Sequence, residues 1–159
     1  MLYPQHVELA PEHPGAEPRA GLLLELSPDG SRDRLGLVCT AARRPGRRWA
    51  VEMEWAPVNT IRRLTATTTA LPRAVALVST WSTGPSLVHP ALLLEWRSTM
   101  RSGRPTKWEG LACVARGGGE VSWSIDLRWV LSSDLKPLPT LPPCWTDFAA
   151  TPFGESLTW

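Results

Sequence analysis

One segment of this chain occurs twice, and no other feature restricts the fold as strongly. Shifting the sequence by 74 residues lays positions 36–64 on 110–138 without a gap. Seven of these 29 positions are identical: Gly36/Gly110, Leu37/Leu111, Cys39/Cys113, Ala41/Ala115, Trp49/Trp123, Trp55/Trp129 and Leu64/Leu138. Five more are conservative: Val51/Ile125, Glu52/Asp126, Met53/Leu127, Ile61/Leu135 and Arg62/Lys136. Tryptophan and cysteine are rare residues, so their coincidence makes chance a poor explanation. Upstream, Leu22-Leu23-Leu24-Glu25 matches Leu92-Leu93-Leu94-Glu95 at a shift of 70, which gives the second copy a loop four residues longer. The 159 residues therefore read as one small module present twice.

Each copy has the periodicity of β structure. Trp49, Val51, Met53 and Trp55 alternate with Ala50, Glu52 and Glu54, as Trp123, Ile125, Leu127 and Trp129 alternate with Ser124, Asp126 and Arg128. A period of two marks a half-buried strand. A strand around 35–42 or 109–116 precedes it, joined through the turns "RRPG" and "GGGE". Each copy opens with a short apolar strand, 22–26 or 91–96. After the long strand, "APVNT" and "VLSSD" each allow one tight helical turn before a last short strand at 61–64 or 135–138.

Strand, variable loop, hairpin, single helical turn and final strand in under 50 residues is the plan of a small SH3-like barrel. The expected fold is all-β, with two tandem SH3-like barrels from an internal duplication. The second copy resembles the C-terminal SH3-like DNA-binding domain of retroviral and retrotransposon integrases. The shared features are Trp108-Glu109-Gly110, the glycine turn at 117–119, and the ending Trp129-Val130-Leu131-Ser132-Ser133-Asp134-Leu135-Lys136-Pro137. Tudor and KOW-type barrels are similar too. The resemblance covers about 31 residues of one copy, and the first copy lacks its Trp and Pro.

The expected organisation is a flexible segment over 1–20, barrel 1 over 21–64, a linker over 65–90 partly packed on the barrels, barrel 2 over 91–138, and a Pro-rich, aromatic tail over 139–159. No run of about 18 apolar residues exists, so no membrane-spanning helix is expected. The start "MLYPQHVELAPEHPG" has neither the basic start nor the apolar stretch of a signal peptide. Three cysteines without metal-type spacing fit free thiols in a reducing compartment, and the expected location is the cytoplasm.

The formal charge of +2 is small, but its distribution is uneven. Residues 21–64 carry eight Arg against five acids and 91–138 carry seven basic residues against five acids, while each end is net −2. Arg43, Arg44, Arg47 and Arg48 fall on one hairpin turn, and Arg62 and Arg63 close the first module. Arg97, Arg101, Arg104 and Lys107 line the longer loop of the second module, joined by Arg116 and Lys136. Clustered Arg on a hairpin tip can neutralise several phosphates. Nucleic acid, DNA or RNA, is the first expected partner, through these residues.

A protein partner is the alternative, gripped by Trp96, Trp108, Trp145 and Phe148. The first two lack an aromatic counterpart in copy one, which has Leu26 and Arg34 there. Trp49/Trp123 and Trp55/Trp129 are expected to be core before cage, since they alternate in phase with Val51, Met53, Ile125 and Leu127. Catalysis, metal and cofactor are not expected. Cys39 and Cys113 recur together, but His6, His13 and His89 have no counterparts to activate them, so the thiols read as buried structure. Gly117-Gly118-Gly119 is followed by a strand rather than by the helix and Lys of a phosphate loop, so these glycines read as a turn.

Overall fold

A computed structural model of the protein describes residues 4–27, 34–46, 48–64, 70–79 and 87–138. Among the described residues ten strands run β1 Gln5–Leu9, β2 Arg19–Leu26, β3 Leu35–Arg43, β4 Trp49–Pro57, β5 Ile61–Arg63, β6 Arg73–Ser79, β7 Leu87–Arg101, β8 Arg104–Gly118, β9 Val121–Leu131 and β10 Leu135–Pro137. Single 3-10 turns, Val58–Thr60 and Ser132–Asp134, precede β5 and β10. The strands form two five-stranded sheets ordered β4-β3-β2-β1-β5 and β10-β6-β7-β8-β9. All the pairings are antiparallel. This strand order, with a 3-10 turn before the last strand, is the connectivity of an SH3-like barrel, present twice.

The register repeats as faithfully as the sequence. Val7 stands opposite Gly21 and Arg63, as Val75 stands opposite Ala91 and Pro137. Leu37 faces Trp55 as Leu111 faces Trp129. Both second strands carry a bulge at the same place, between Leu23 and Glu25 and between Leu93 and Glu95. A bulge bends its strand and sharpens the local twist, which lets so short a sheet curl round a core.

Each module has its own core: Val7, Leu9, Leu23, Val38, Ala56, Val58 and Ile61 in the first, and Val75, Leu77, Ala91, Leu93, Ala112, Val114 and Leu135 in the second. Gly36 and Gly110 are identical in the repeat because there is no room for a side chain. A Cβ on Gly36 would lie 2.6 Å from Ile61 and 2.8 Å from Leu23, and one on Gly110 would lie 2.5 Å from Leu135 and 2.6 Å from Leu93.

A third cluster joins the modules. Leu22, Leu24, Cys39 and Ala41 pack against Leu92, Leu94, Cys113 and Ala115, flanked by Trp49, Val51, Trp123 and Ile125. The triple leucines are thereby explained. Leu23 and Leu93 point into their own barrels, while Leu22, Leu24, Leu92 and Leu94 point across the seam. A strand buried on both faces reads as a continuous apolar run rather than an alternating one.

Several expectations need correction. The segment 1–20 is not wholly flexible, because Gln5–Leu9 forms β1, the central partner of β2 and β5. The stretch 65–90, expected as a linker, contributes β6 to the second sheet, so both modules begin earlier than the repeat suggested. Trp55 is not core, being 48% exposed with Met53 beside it at 43%. Trp49 and Trp123 pack on the seam between the modules rather than inside a barrel. The longer loop of the second copy is a hairpin, the extended ends of β7 and β8, with a register shift between Thr99 and Met100.

Candidate nucleic-acid interface

In the second module β7 and β8 run 15 residues each, against 8 and 9 for β2 and β3. The excess projects as a two-stranded ribbon closed by Ser102-Gly103, with φ of 52° and 75°. A two-residue turn with positive φ at both positions matches the right-handed twist of its strands. The Ser-Gly dipeptide was the available signal for this hairpin.

The register sorts the ribbon's side chains. Trp96 stands opposite Gly110, Ser98 opposite Trp108, Thr99 opposite Lys107 and Arg97 opposite Glu109. Alternation puts Trp96, Ser98 and Trp108 on one face, continuous with the face that fills the barrel, and Arg97, Thr99, Lys107 and Glu109 on the other. Trp96 and Trp108 are a diagonal cross-strand pair, a separation of about 7–8 Å that aromatic side chains span. They are 41% and 51% exposed. The Trp96 ring rests beside Gly110, its Cζ3 3.3 Å from where a Cβ would stand.

The charge of the ribbon is of one sign: residues 96–108 contain Arg97, Arg101, Arg104 and Lys107 and no acid. Arg97 is engaged on the far face, with its Nε 2.7 Å from the Glu109 carboxylate and its guanidinium 4.1 Å from the centre of the Trp129 ring. Arg104 and Lys107 are exposed. Arg101 lies at the end of β7, its side chain outside what the structure describes.

The other basic residues do not form one patch. Arg44 pairs with Glu52, and Arg43 sits over Trp49 with 5.8 Å to the ring centre. Arg48 is exposed, and Arg47 falls outside the described residues. The "RRPGRR" turn is thus partly neutralised by its own strand. Arg116 pairs with Asp126 at 3.4 Å. Arg62 and Arg63 are exposed on β5 and Lys136 on β10, the strands that end each sheet's order opposite the β3–β4 and β8–β9 hairpins. Trp145 and Phe148 lie outside the described residues. Sequence reasoning picked Trp96 and Trp108 but missed the open apolar row of Met53 and Trp55. Its alternation was visible, but nothing in the sequence says which face another element covers.

The seam holds the molecule's other chemically distinctive group. Cys39 and Cys113 are fully buried with their sulfurs 3.8 Å apart. Contact with Cys113 and burial in the apolar seam together push the Cys39 thiol above the ordinary thiol range, so it stays protonated. His6 also crosses the seam. Its Nε2 lies 3.0 Å from the Ala91 carbonyl, which can only accept, so Nε2 carries the proton. Burial lowers the His6 pKa from its ordinary value.

Comparison with protein families, curated protein sequences and solved structures finds no match to this chain. Fold and site define the class: an all-β protein of two tandem barrels, one of which extends a cationic, tryptophan-bearing ribbon.

Proposed function

We propose that the protein is a non-catalytic nucleic-acid-binding module, a subunit of a larger nucleoprotein assembly, that holds a single strand on the β7–β8 ribbon. The carrying observation is the pairing of two exposed indoles on one face, Trp96 and Trp108, with a stretch of 13 residues whose only charges are positive. Unpaired bases stack on aromatic rings, while the cations beside them track the backbone. In this reading Trp96 and Trp108 are the stacking platform, and Arg104 and Lys107 meet phosphates, with Arg101 at the turn. Arg48, Arg62, Arg63 and Lys136 extend the positive surface. The resemblance of the second copy to integrase SH3-like domains points the same way.

The test is fluorescence anisotropy with labelled single- and double-stranded oligonucleotides across a salt series. Single strands bind more tightly, and affinity falls with salt as counterions are released. Trp96→Ala/Trp108→Ala weakens binding at least tenfold, since stacking contributes about 1–3 kcal/mol per base. Arg104→Ala/Lys107→Ala flattens the salt dependence. Salt-insensitive binding, or an unaffected tryptophan pair variant, sinks the reading.

A second reading, a protein-binding adaptor, is supported by the exposed Met53 and Trp55 beside Leu37. The equivalent Trp129 is covered by Arg97, whereas the position equivalent to Arg97 in the first module is Ser27. Trp55→Ala then abolishes capture of a protein partner and leaves oligonucleotide binding unchanged.

A further inference from the structure

We propose that residues 139–159 fold back onto the Trp96–Trp108 face of the ribbon in the same molecule and compete with nucleic acid for it; the competition, though not the docking, rests on the function proposed above. The two segments are opposite in charge. Residues 96–108 hold four basic residues and no acid, and residues 139–159 hold Asp147 and Glu155 and no basic residue. They share an apolar component as well: Trp145, Phe148, Phe153 and Trp159 in the segment, and two half-exposed indoles on the ribbon. An acidic, aromatic segment suits a ribbon that carries its indoles on one face and Lys107 on the other, with no acid from Trp96 to Trp108.

The point where the chain leaves the fold brings the two together. Leu135, on the last strand, and Trp96 both touch the same spot on Gly110: Leu135 Cδ1 lies 2.5 Å and Trp96 Cζ3 lies 3.3 Å from where its Cβ would be. Leu138, the last described residue, is three positions further on, and 21 residues follow it. Trp145 is seven residues past Leu138, within about 20 Å even at the rise of a proline-rich extended chain. That covers the neighbouring Trp96 and the diagonal Trp108. Pro139, Pro142 and Pro143 stiffen the connection and reduce the entropy lost on docking. Tethering supplies an effective concentration in the millimolar range, so a weak contact is enough.

The test uses the full chain and its Trp145→Ala/Phe148→Ala variant. The first readout needs no nucleic acid: the indole N–H resonances of Trp96 and Trp108, assigned through the single Trp→Phe variants, recorded at several protein concentrations. The second is affinity for a labelled single-stranded oligothymidine. Docking predicts that both indole resonances shift in the tail variant, independently of concentration, and that oligothymidine affinity rises about tenfold. Unmoved resonances overturn the docking, even if oligothymidine binds. Shifted resonances with no oligothymidine binding to either protein uphold the docking and sink the nucleic-acid reading instead. Shifts that grow with protein concentration assign the face to a neighbouring copy's segment and overturn the intramolecular contact.

Discussion

The indole of Trp123 donates its N–H to the carboxylate of Glu25, 98 residues earlier, at 3.1 Å. Its repeat mate Trp49 donates to Glu95, the repeat mate of Glu25, at 3.3 Å. Each module thus gives the other what it receives. This is the self-complementary contact of a two-fold dimer, here built within one chain. With Leu22 and Leu24 on one side and Leu92 and Leu94 on the other, the two barrels form one packed unit. Replacing Trp123 by Phe keeps the ring and removes the donor. The expected loss is about 1 kcal/mol, measured by urea unfolding, and a cycle with Glu25→Gln shows the coupling.

The seam leucines test whether the modules unfold together. Leu24 and Leu94 are almost completely buried between them. Leu24→Ala and Leu94→Ala each cost about 2–5 kcal/mol. Because each side chain serves both modules, chemical denaturation retains one transition, shifted as a whole. A variant that loses one module's signal before the other's would show that the seam is not the coupling element.

The paired glycines yield a packing prediction. Gly110→Ala forces a methyl against Leu135 and Leu93 in the second core, at an expected cost of about 1–3 kcal/mol. Gly36→Ala does the same against Ile61 and Leu23. Combining Gly110→Ala with Leu135→Val returns part of the space, so the double variant is less destabilised than the sum of the singles. Strict additivity in thermal unfolding would refute the clash.

The thiols give a chemical test of the seam. Cys39 and Cys113 are both fully buried, which keeps an alkylating reagent away from either sulfur, and Cys39 is also held in its protonated form. Peptide mapping after brief treatment with iodoacetamide should find both unmodified in native protein and both modified in denaturant. Rapid native labelling of either would place the seam in solvent.

His6 sets a pH dependence. Burial makes the charged imidazole unfavourable in the folded state, so its pKa lies below the value of 6.5 it has when unfolded. The unfolded chain therefore binds the proton first. Stability is full above that pH and declines as pH falls through it, until the folded state is protonated too. In His6→Gln, which keeps a donor for the Ala91 carbonyl, the decline between pH 7 and 5 should be shallower, as measured by unfolding at a series of pH values.

Much of the fold was legible because repeats and two-residue periodicity are properties of the chain itself. The alternation of residues 49–55 and 123–129, the turns at 43–46 and 117–120, and the single helical turns before Ile61 and Leu135 all follow from local chemistry. So did the suspicion about Trp96 and Trp108, the aromatics that the repeat does not share. Alternation shows that a strand has two unlike faces. It does not show what covers each one, which is why Trp55 was read as core and lies open, while Trp49 packs on the other module.

What only the tertiary structure decided is long-range. Gln5–Leu9 is a five-residue strand among prolines with two apolar residues facing the core, too little pattern to read, yet β2 and β5 on either side supply the hydrogen bonds that hold it. The three successive leucines of each copy read only as a short apolar strand, and the packed molecule shows that one face of that strand belongs to the other module. Charge followed the same rule. The "RRPGRR" turn was the densest cationic run by sequence, and its own strand answers it with Glu52, whereas the ribbon at 96–108 meets no acid until Glu109. Composition counts charges along the chain, and pairing across strands determines which of them remain to meet a ligand.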